Sequence, residues 1–291
     1  MKIATFTDPA GQRIGVVSGN EIIDLSAAAP DLRRDMIGFL KKGEEAFVAA
    51  QRVLEAQGPR IALDAVTLNA PIPRPGKILG IGLNYADHIA ETGREPPKVQ
   101  IWFNKQRNCA NAPFAPINMP AVSRDLDYEA ELCFVIGKRC KHVPRERAHE
   151  VIGGYFCGND VTVRDWQRRS PTMQMGKSFD THGPMGPWLV TPDEIGDPHD
   201  LDIKCWVNGE VRQNSNTKHM IFDCFDQIAH LSQAFTLDVG DVIFTGTPDG
   251  VGMAKDPPAY LKVGDQVKVE IEKIGAIEHE VVVESADTII D

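Results

Sequence analysis

Glu129 and Glu131 lie two residues apart in the run Asp-Tyr-Glu-Ala-Glu-Leu-Cys-Phe-Val-Ile-Gly. In an extended chain that spacing puts both carboxylates on one face. The apolar stretch from Leu132 to Ile136 reads as a buried strand, so the two acids lead into a core. Like charges taken out of water there repel each other unless something positive sits between them. Asp160 ends a second apolar strand pattern, Gly-Gly-Tyr-Phe-Cys-Gly-Asn-Asp. Three carboxylates at the ends of buried strands point to a hard divalent cation, Mg²⁺ or Mn²⁺, with Ca²⁺ compatible. His88 and Glu91, three apart, share a face of one helical turn. A carboxylate beside an imidazole orients it and raises its basicity, as a general base that activates water requires. Lys177 and Arg164 supply cations near glycine and strand patterns. Taken singly, each of these features is more often a solvated charge or a helix cap.

These residues need elements to position them. Beyond residue 71 short β-patterned runs dominate, among them Lys-Ile-Leu-Gly-Ile-Gly, Gln-Ile-Trp-Phe-Asn-Lys and Asp-Val-Ile-Phe-Thr-Gly-Thr, separated by Gly, Pro and Asp turns. Helical patterns are few: Arg145–Ile152, a stretch near Arg164–Arg168, and Ile221–Ala234. Strands that outnumber helices and do not alternate with them argue against a doubly wound parallel sheet. Residues 1–70 read as a small α/β domain, with two strands around Ser-Gly-Asn and a helix between Asp31 and Gly58. Pro71, Pro73 and Pro75 then form a stiff linker. The expected class is α+β: a β-rich mixed β-roll over 71–291 behind the small domain.

Composition narrows the function. The 291 residues are 42% hydrophobic and 25% charged, ordinary globular usage that excludes a disordered chain or a coiled coil. A net charge of −10 argues against nucleic acid or an anionic membrane as partner, but admits a small anionic substrate where local charge opposes the total. No run approaches the roughly 20 apolar residues of a membrane span, and the first residues lack a signal-peptide core. Six cysteines without a Cys-x-x-Cys pair read as reduced thiols, which sets the expected location as cytoplasmic.

Three glycine patterns are decoys or turns. Gly80-Ile-Gly82 has Tyr85 where a dinucleotide fingerprint needs glycine. Gly176-Lys177-Ser178 has Pro171 where a P-loop needs its first glycine. Gly246-Thr-Pro-Asp-Gly250-Val-Gly252 follows a strand and could close on a ligand or be a plain turn.

Together, Gly-Ile-Gly-Leu-Asn-Tyr-Ala-Asp-His-Ile-Ala-Glu, the Glu129–Glu131 strand, the Asp160 strand with Arg-Asp-Trp-Gln, Gly-Lys-Ser-Phe-Asp-Thr, Trp-Val-Asn-Gly-Glu-Val-Arg-Gln and Thr-Gly-Thr-Pro-Asp-Gly-Val-Gly occur in order over about residues 76–253. In this the chain resembles the fumarylacetoacetate hydrolase superfamily, particularly its acylpyruvase-like group. The resemblance implies a β-roll, a homodimer and Mg²⁺ or Mn²⁺ on Glu129, Glu131 and Asp160. It makes His88 and Glu91 the water-activating dyad and Lys177 the contact for a developing oxyanion. Lys105, Arg164, Gln167 and Thr247 match substrate-contacting positions. Two departures are local: Gln106-Arg107-Asn108-Cys109 replaces the usual Pro-Ser or Pro-Thr and adds the cation Arg107 near the distal pocket, and Trp166 is bulkier than its usual counterpart.

The implied substrate is a small 2,4-diketo acid of the acylpyruvate or diketo-deoxy sugar acid type, hydrolysed at C3–C4 to pyruvate and a carboxylic acid. The alternative on the same site is decarboxylation or tautomerisation of oxaloacetate, which needs no attacking water. A structural role for the acids is disfavoured by the intact dyad. The segment from His88 to Pro97 reads as a weakly anchored lid.

Overall fold

A computed structural model describes residues 1–56, 58–93 and 95–290 of the chain. The fold is mixed α/β, rich in sheet and poor in helix. Among the described residues the main sheet has twelve strands. Its central path runs Lys2–Asp8, Gly183–Val190, Ile152–Asn159, Ala130–Ile136, Val242–Phe244, Ile78–Gly82 and Ile101–Lys105. Neighbours on this path are antiparallel, except that Val242–Phe244 runs parallel to Ile78–Gly82. The first residues extend the same sheet, since Lys2 and Ile3 pair with Val190 and Leu189. A five-stranded second sheet is ordered Glu210–Asn216, Asp202–Val207, Gln266–Ile271, Gly275–Val283 and Ile117–Met119.

The strand Ala130–Ile136 shows why the layers stack. Every residue in it is buried. Leu132, Phe134 and Ile136 pack with Ile203, Val269 and Ile277 of the second sheet. Cys133 and Val135, on the opposite face, pack with Val16, Phe39 and Leu40 of the first seventy residues. A strand covered on both sides loses the polar alternation of an exposed one, which explains its unbroken apolar run.

Helices follow their caps. Asp223 accepts from the backbone amides of Phe225 and Asp226, and Asp226 returns a bond to the Asp223 amide. This capping box starts the helix at Cys224 rather than at Ile221. The helix expected between Asp31 and Gly58 is two, Met36–Lys41 and Glu44–Glu55, parted at Gly43. Gly43 holds φ at 62°, which interrupts the helical turn. Gln57, within the expected helix, lies outside the described residues.

Two core histidines make a testable statement about stability. His182 Nε2 lies 2.8 Å from the Asn118 carbonyl and His279 Nδ1 2.8 Å from the Ala115 carbonyl. Burial pushes their pKa values from 6.5 down to about 3 and about 4. The fold therefore holds both neutral, and their contribution is complete above the unfolded value of 6.5. It is lost as pH falls from there toward the folded values, at about 1.4 kcal/mol per pH unit for each histidine. Between pH 6.5 and 5 the pair should remove about 3 kcal/mol of unfolding free energy. Urea unfolding across that range checks this. His279→Gln should flatten the slope by one histidine's share, and an unchanged slope would refute the assignment.

Candidate active site

The site forms where the ends of the central strands meet. Glu129 immediately precedes its strand; its amide donates to Asn159 Oδ1 at 3.0 Å, and its carbonyl accepts from the Asp160 amide at 2.8 Å. These bonds hold the two buried strand ends in register and bring Asp160 beside the glutamates. Ligand oxygens of Glu129, Glu131 and Asp160 all lie within 4.8 Å of one another.

Cations surround two of the three acids. Lys177 Nζ donates to Glu129 Oε2 and Asp160 Oδ2, both at 2.7 Å. Arg164 Nη1 pairs with Glu129 Oε1 at 2.6 Å, and Arg164 Nε donates to Asp127 Oδ2 at 2.8 Å. Burial alone would raise the Glu129 pKa, but Lys177 and Arg164 outweigh it and hold the carboxyl well below the usual range. Glu131 has no cation partner among the described residues; Oε2 accepts only the Gly246 amide, at 2.7 Å. Burial, then the charges of Asp160 and Glu129, push its carboxyl well above the usual range.

That arrangement fits a hard divalent ion. Glu131 is a buried carboxylate left uncompensated beside two others, and every donor in the set is carboxylate oxygen. Lys177 already bridges Glu129 and Asp160, so a bound cation would share their oxygens with its ammonium.

The dyad is assembled: His88 Nδ1 lies 2.7 Å from Glu91 Oε1. Three tethers hold its helix, Ala86–Thr92. Tyr85 bridges to Met220, Ser215 Oγ donates to Asp87 Oδ2 at 2.7 Å, and the Gly250 amide donates to Glu91 Oε2 at 2.9 Å. Asn84 fixes the preceding turn by donating to the carbonyls of Phe222 and Thr245. The expected weak anchoring is therefore corrected for residues 88–91; Arg94, in the same expected lid, lies outside the described residues.

A cavity of about 290 Å³ opens here, lined by His88, Glu129, Arg164, Gln167, Lys177 and Thr247. Ile81, Ile101, Phe103, Met173 and Met253 give it apolar walls, and Arg168 also lines it. Gln167 Oε1 accepts from Arg164 Nη1 at 3.1 Å. The second terminal nitrogen of Arg164, Nη2, is buried without a partner. The Thr247 hydroxyl donates to the Ala130 carbonyl at 2.8 Å and accepts from Gln213 Nε2 at 2.8 Å, which leaves it lone-pair capacity only. A larger cleft of about 1170 Å³, lined by Arg124, Tyr260 and Lys262, contains none of the expected site residues.

Two expected placements change. Lys105 does not line the cavity. Its fully buried Nζ donates to Asp160 Oδ1 at 2.6 Å and to the Lys177 carbonyl, so it supports those two residues from behind. Arg107 lies in a separate shallow cavity with Pro73 and Arg74, because the one-turn helix Arg107–Cys109 carries it away from the site. The bulkier Trp166 turns edge-on to Phe179, with ring centroids 5.3 Å apart, and packs against the core.

The sequence reading missed two supports. Asp127, fully buried, holds Arg164 and accepts from the amides of Gly252 and Met253. Its signal was present, since Asp127 continues the two-residue spacing of Glu129 and Glu131. The Gly246–Gly252 loop, left open between turn and ligand loop, donates amides to Glu131, Glu91 and Asp127. Gly250 is required there: at φ +95° a Cβ would meet the Arg212 carbonyl oxygen at 1.9 Å.

A roll of strands whose ends gather a buried carboxylate trio, a lysine and an imidazole–carboxylate dyad brings together the groups of an enzyme active site. The profile of the fumarylacetoacetate (FAA) hydrolase C-terminal family matches residues 77–282, and the chain belongs to this family. It is 43% identical over 287 residues to the oxaloacetate tautomerase Fahd2a, mitochondrial, of Rattus norvegicus, covering 97% of this chain and 92% of the relative. Identity to the oxaloacetate tautomerase FAHD2A, mitochondrial, of Homo sapiens is 43% over 288 residues, with the same coverage. Maleylpyruvate hydrolase from Sphingobium sp. SYK-6, solved in complex with manganese(II) ion and pyruvate, superposes with a TM-score of 0.81 at 34% identity, over 98% of this chain and 100% of that one. Fumarylacetoacetate hydrolase from Exiguobacterium antarcticum gives a TM-score of 0.86 at 36% identity over the same shares.

Proposed function

We propose that this chain catalyses keto–enol tautomerisation of oxaloacetate, using Mg²⁺ or Mn²⁺ held by Glu129, Glu131 and Asp160. The observation that carries the reading is the 2.7 Å His88–Glu91 contact on the wall of a small cationic cavity. The names of the 43%-identical relatives support the choice of substrate. At about 290 Å³ the cavity lies at the lower limit for ligand pockets, which favours a compact acid over a sugar-derived one.

The divalent cation, when bound, supplies Lewis-acid charge beside the 2-oxo acid end of the substrate. Glu91 accepts from His88 Nδ1, which leaves Nε2 as the basic atom. His88 Nε2 takes a proton from C3 as negative charge moves to the C2 oxygen. The Lys177 ammonium and the free Arg164 Nη2 donate toward that oxygen. The proton taken up by His88 passes to that oxygen, directly or through water, which completes the enol and returns His88 to its basic form; the reverse sequence restores the ketone. Lys105 keeps Asp160 and Lys177 in place throughout.

The second reading is hydrolysis of an acylpyruvate, in which His88 takes its proton from water. A preassembled dyad favours it, and the manganese-bound neighbour named maleylpyruvate hydrolase supports it. One experiment separates the two: with saturating Mg²⁺, follow enol oxaloacetate by ultraviolet absorbance and pyruvate release from a panel of acylpyruvates. Oxaloacetate enolisation well above the buffer rate is expected. Efficient acylpyruvate cleavage without it would replace the tautomerase reading with the hydrolase one.

A further inference from the structure

Five ionisable residues line the active-site cavity: His88, Glu129, Arg164, Arg168 and Lys177. Four of them are committed. His88 is bound to Glu91, Glu129 to Lys177 and Arg164, Arg164 to Asp127 and Glu129, and Lys177 to Glu129 and Asp160. Arg168 stands apart. It follows the single helical turn Arg164–Gln167, and its amide closes that turn on the Arg164 carbonyl. Its side chain has no hydrogen bond or ion pair to any described residue. The adjacent Arg169, by contrast, lies over the Trp166 ring at 3.9 Å and pairs with Asp165.

The chemistry of an unspent guanidinium at this place is specific. Its planar fork matches the two oxygens of a carboxylate. Of the carboxylate trio, Glu129 lines the cavity, and with Lys177 it marks the end suited to the 2-oxo acid group; the remaining walls are mostly apolar, with Ile81, Ile101, Phe103, Met173 and Met253. A second anionic group on the substrate would therefore find one free cation among the described lining residues. We infer that Arg168 receives the far carboxylate of a dicarboxylic 2-oxo acid and so sets the preference of the site for dicarboxylates over substrates with neutral tails. This rests on the proposed 2-oxo acid reading and adds to it the residue that selects the tail.

The test compares Arg168→Ala and Arg168→Lys with wild type at saturating Mg²⁺, on oxaloacetate and on phenylpyruvate, a 2-oxo acid that enolises but has a neutral tail. The readout is the preference, kcat/KM for oxaloacetate over kcat/KM for phenylpyruvate. Arg168 is exposed, so its replacement should leave the fold intact, which thermal unfolding checks. Because a partly solvated charge pair is weakened by water and salt, the expected fall in preference for Arg168→Ala is about two- to fivefold. It should arise in KM rather than kcat, and Arg168→Lys should recover part of it. Oxalate, which has no far carboxylate, should bind wild type and variant alike in a thermal-shift titration. An unchanged preference, or equal losses on both substrates, overturns the assignment. If wild type fails to enolise oxaloacetate but cleaves acylpyruvates, the tautomerase reading has failed and the inference has not. The same ratio is then measured on acylpyruvates with and without a terminal carboxylate, where an unchanged preference again overturns it.

Discussion

Replacing His88 with alanine should lower oxaloacetate turnover by about 10²–10⁴-fold, the range associated with loss of a positioned general base. The imidazole is held on one side by Glu91 and faces the cavity on the other, and no other described residue there pairs an imidazole with a carboxylate. Binding of Mn²⁺ should stay near the wild-type value, because the three proposed ligands are carboxylates whose contacts do not include His88. Glu91→Gln is the informative companion. It keeps a hydrogen-bond acceptor for the ring but removes the negative charge that faces the imidazolium formed during turnover, so turnover should fall, though less than in His88→Ala. Calorimetry of Mn²⁺ binding beside steady-state turnover separates loss of the base from loss of the metal. If His88→Ala keeps more than a tenth of wild-type turnover, the base lies elsewhere. In the hydrolase reading the same variant loses acylpyruvate cleavage to a similar extent, so the substrate panel rather than this mutation decides between the two activities.

Much of this site could be read in the sequence because its parts obey short local periods. Two-residue spacing places Glu129 and Glu131 on one face, and the buried strand after them explains why charge there needs an opposing charge. Three-residue spacing places His88 beside Glu91 on one helical turn. What the sequence could not show depends on contacts between distant segments. Lys105 reads as one more substrate cation until the Lys177 carbonyl, 72 residues on, is found bound to it. The glycine loop after Thr245 reads as a turn until its amides are seen to satisfy three acids from two other segments. Arg107 and Arg168 look alike as isolated arginines, and only the fold sends one away from the cavity and the other onto its wall. The helix break at Gly43 was visible as a residue, but the shared apolar spacing on both sides concealed it.

The carboxylate trio yields a prediction in which adjacent acids respond in opposite directions. Glu131 has only the Gly246 amide as partner, while burial and its two acidic neighbours push its carboxyl well above the usual range. Glu131→Gln preserves the volume and the acceptor for Gly246 and removes the source of repulsion. Metal-free, this variant should be at least as stable as wild type. Its Mn²⁺ affinity should fall by more than the roughly 10–100-fold lost when only an outer hydrogen-bond partner of a ligand is removed. A metal concentration 100 times the wild-type Kd, worth about 2.7 kcal/mol of added stability to wild type, should then leave the variant's melting temperature nearly unmoved. Asp160→Asn should behave differently without metal. Asp160 is fully buried and accepts from both Lys105 and Lys177, so neutralising it leaves two buried ammonium groups short of a counter-charge. Breaking such a pair costs about 3–5 kcal/mol, enough for a clear loss of melting temperature. Thermal unfolding of both variants in chelator and in Mn²⁺ checks all four expectations. A Glu131→Gln protein that still gains the full wild-type shift with Mn²⁺ would remove Glu131 from the metal site, and a stable Asp160→Asn protein would show that the lysines find their counter-charge elsewhere.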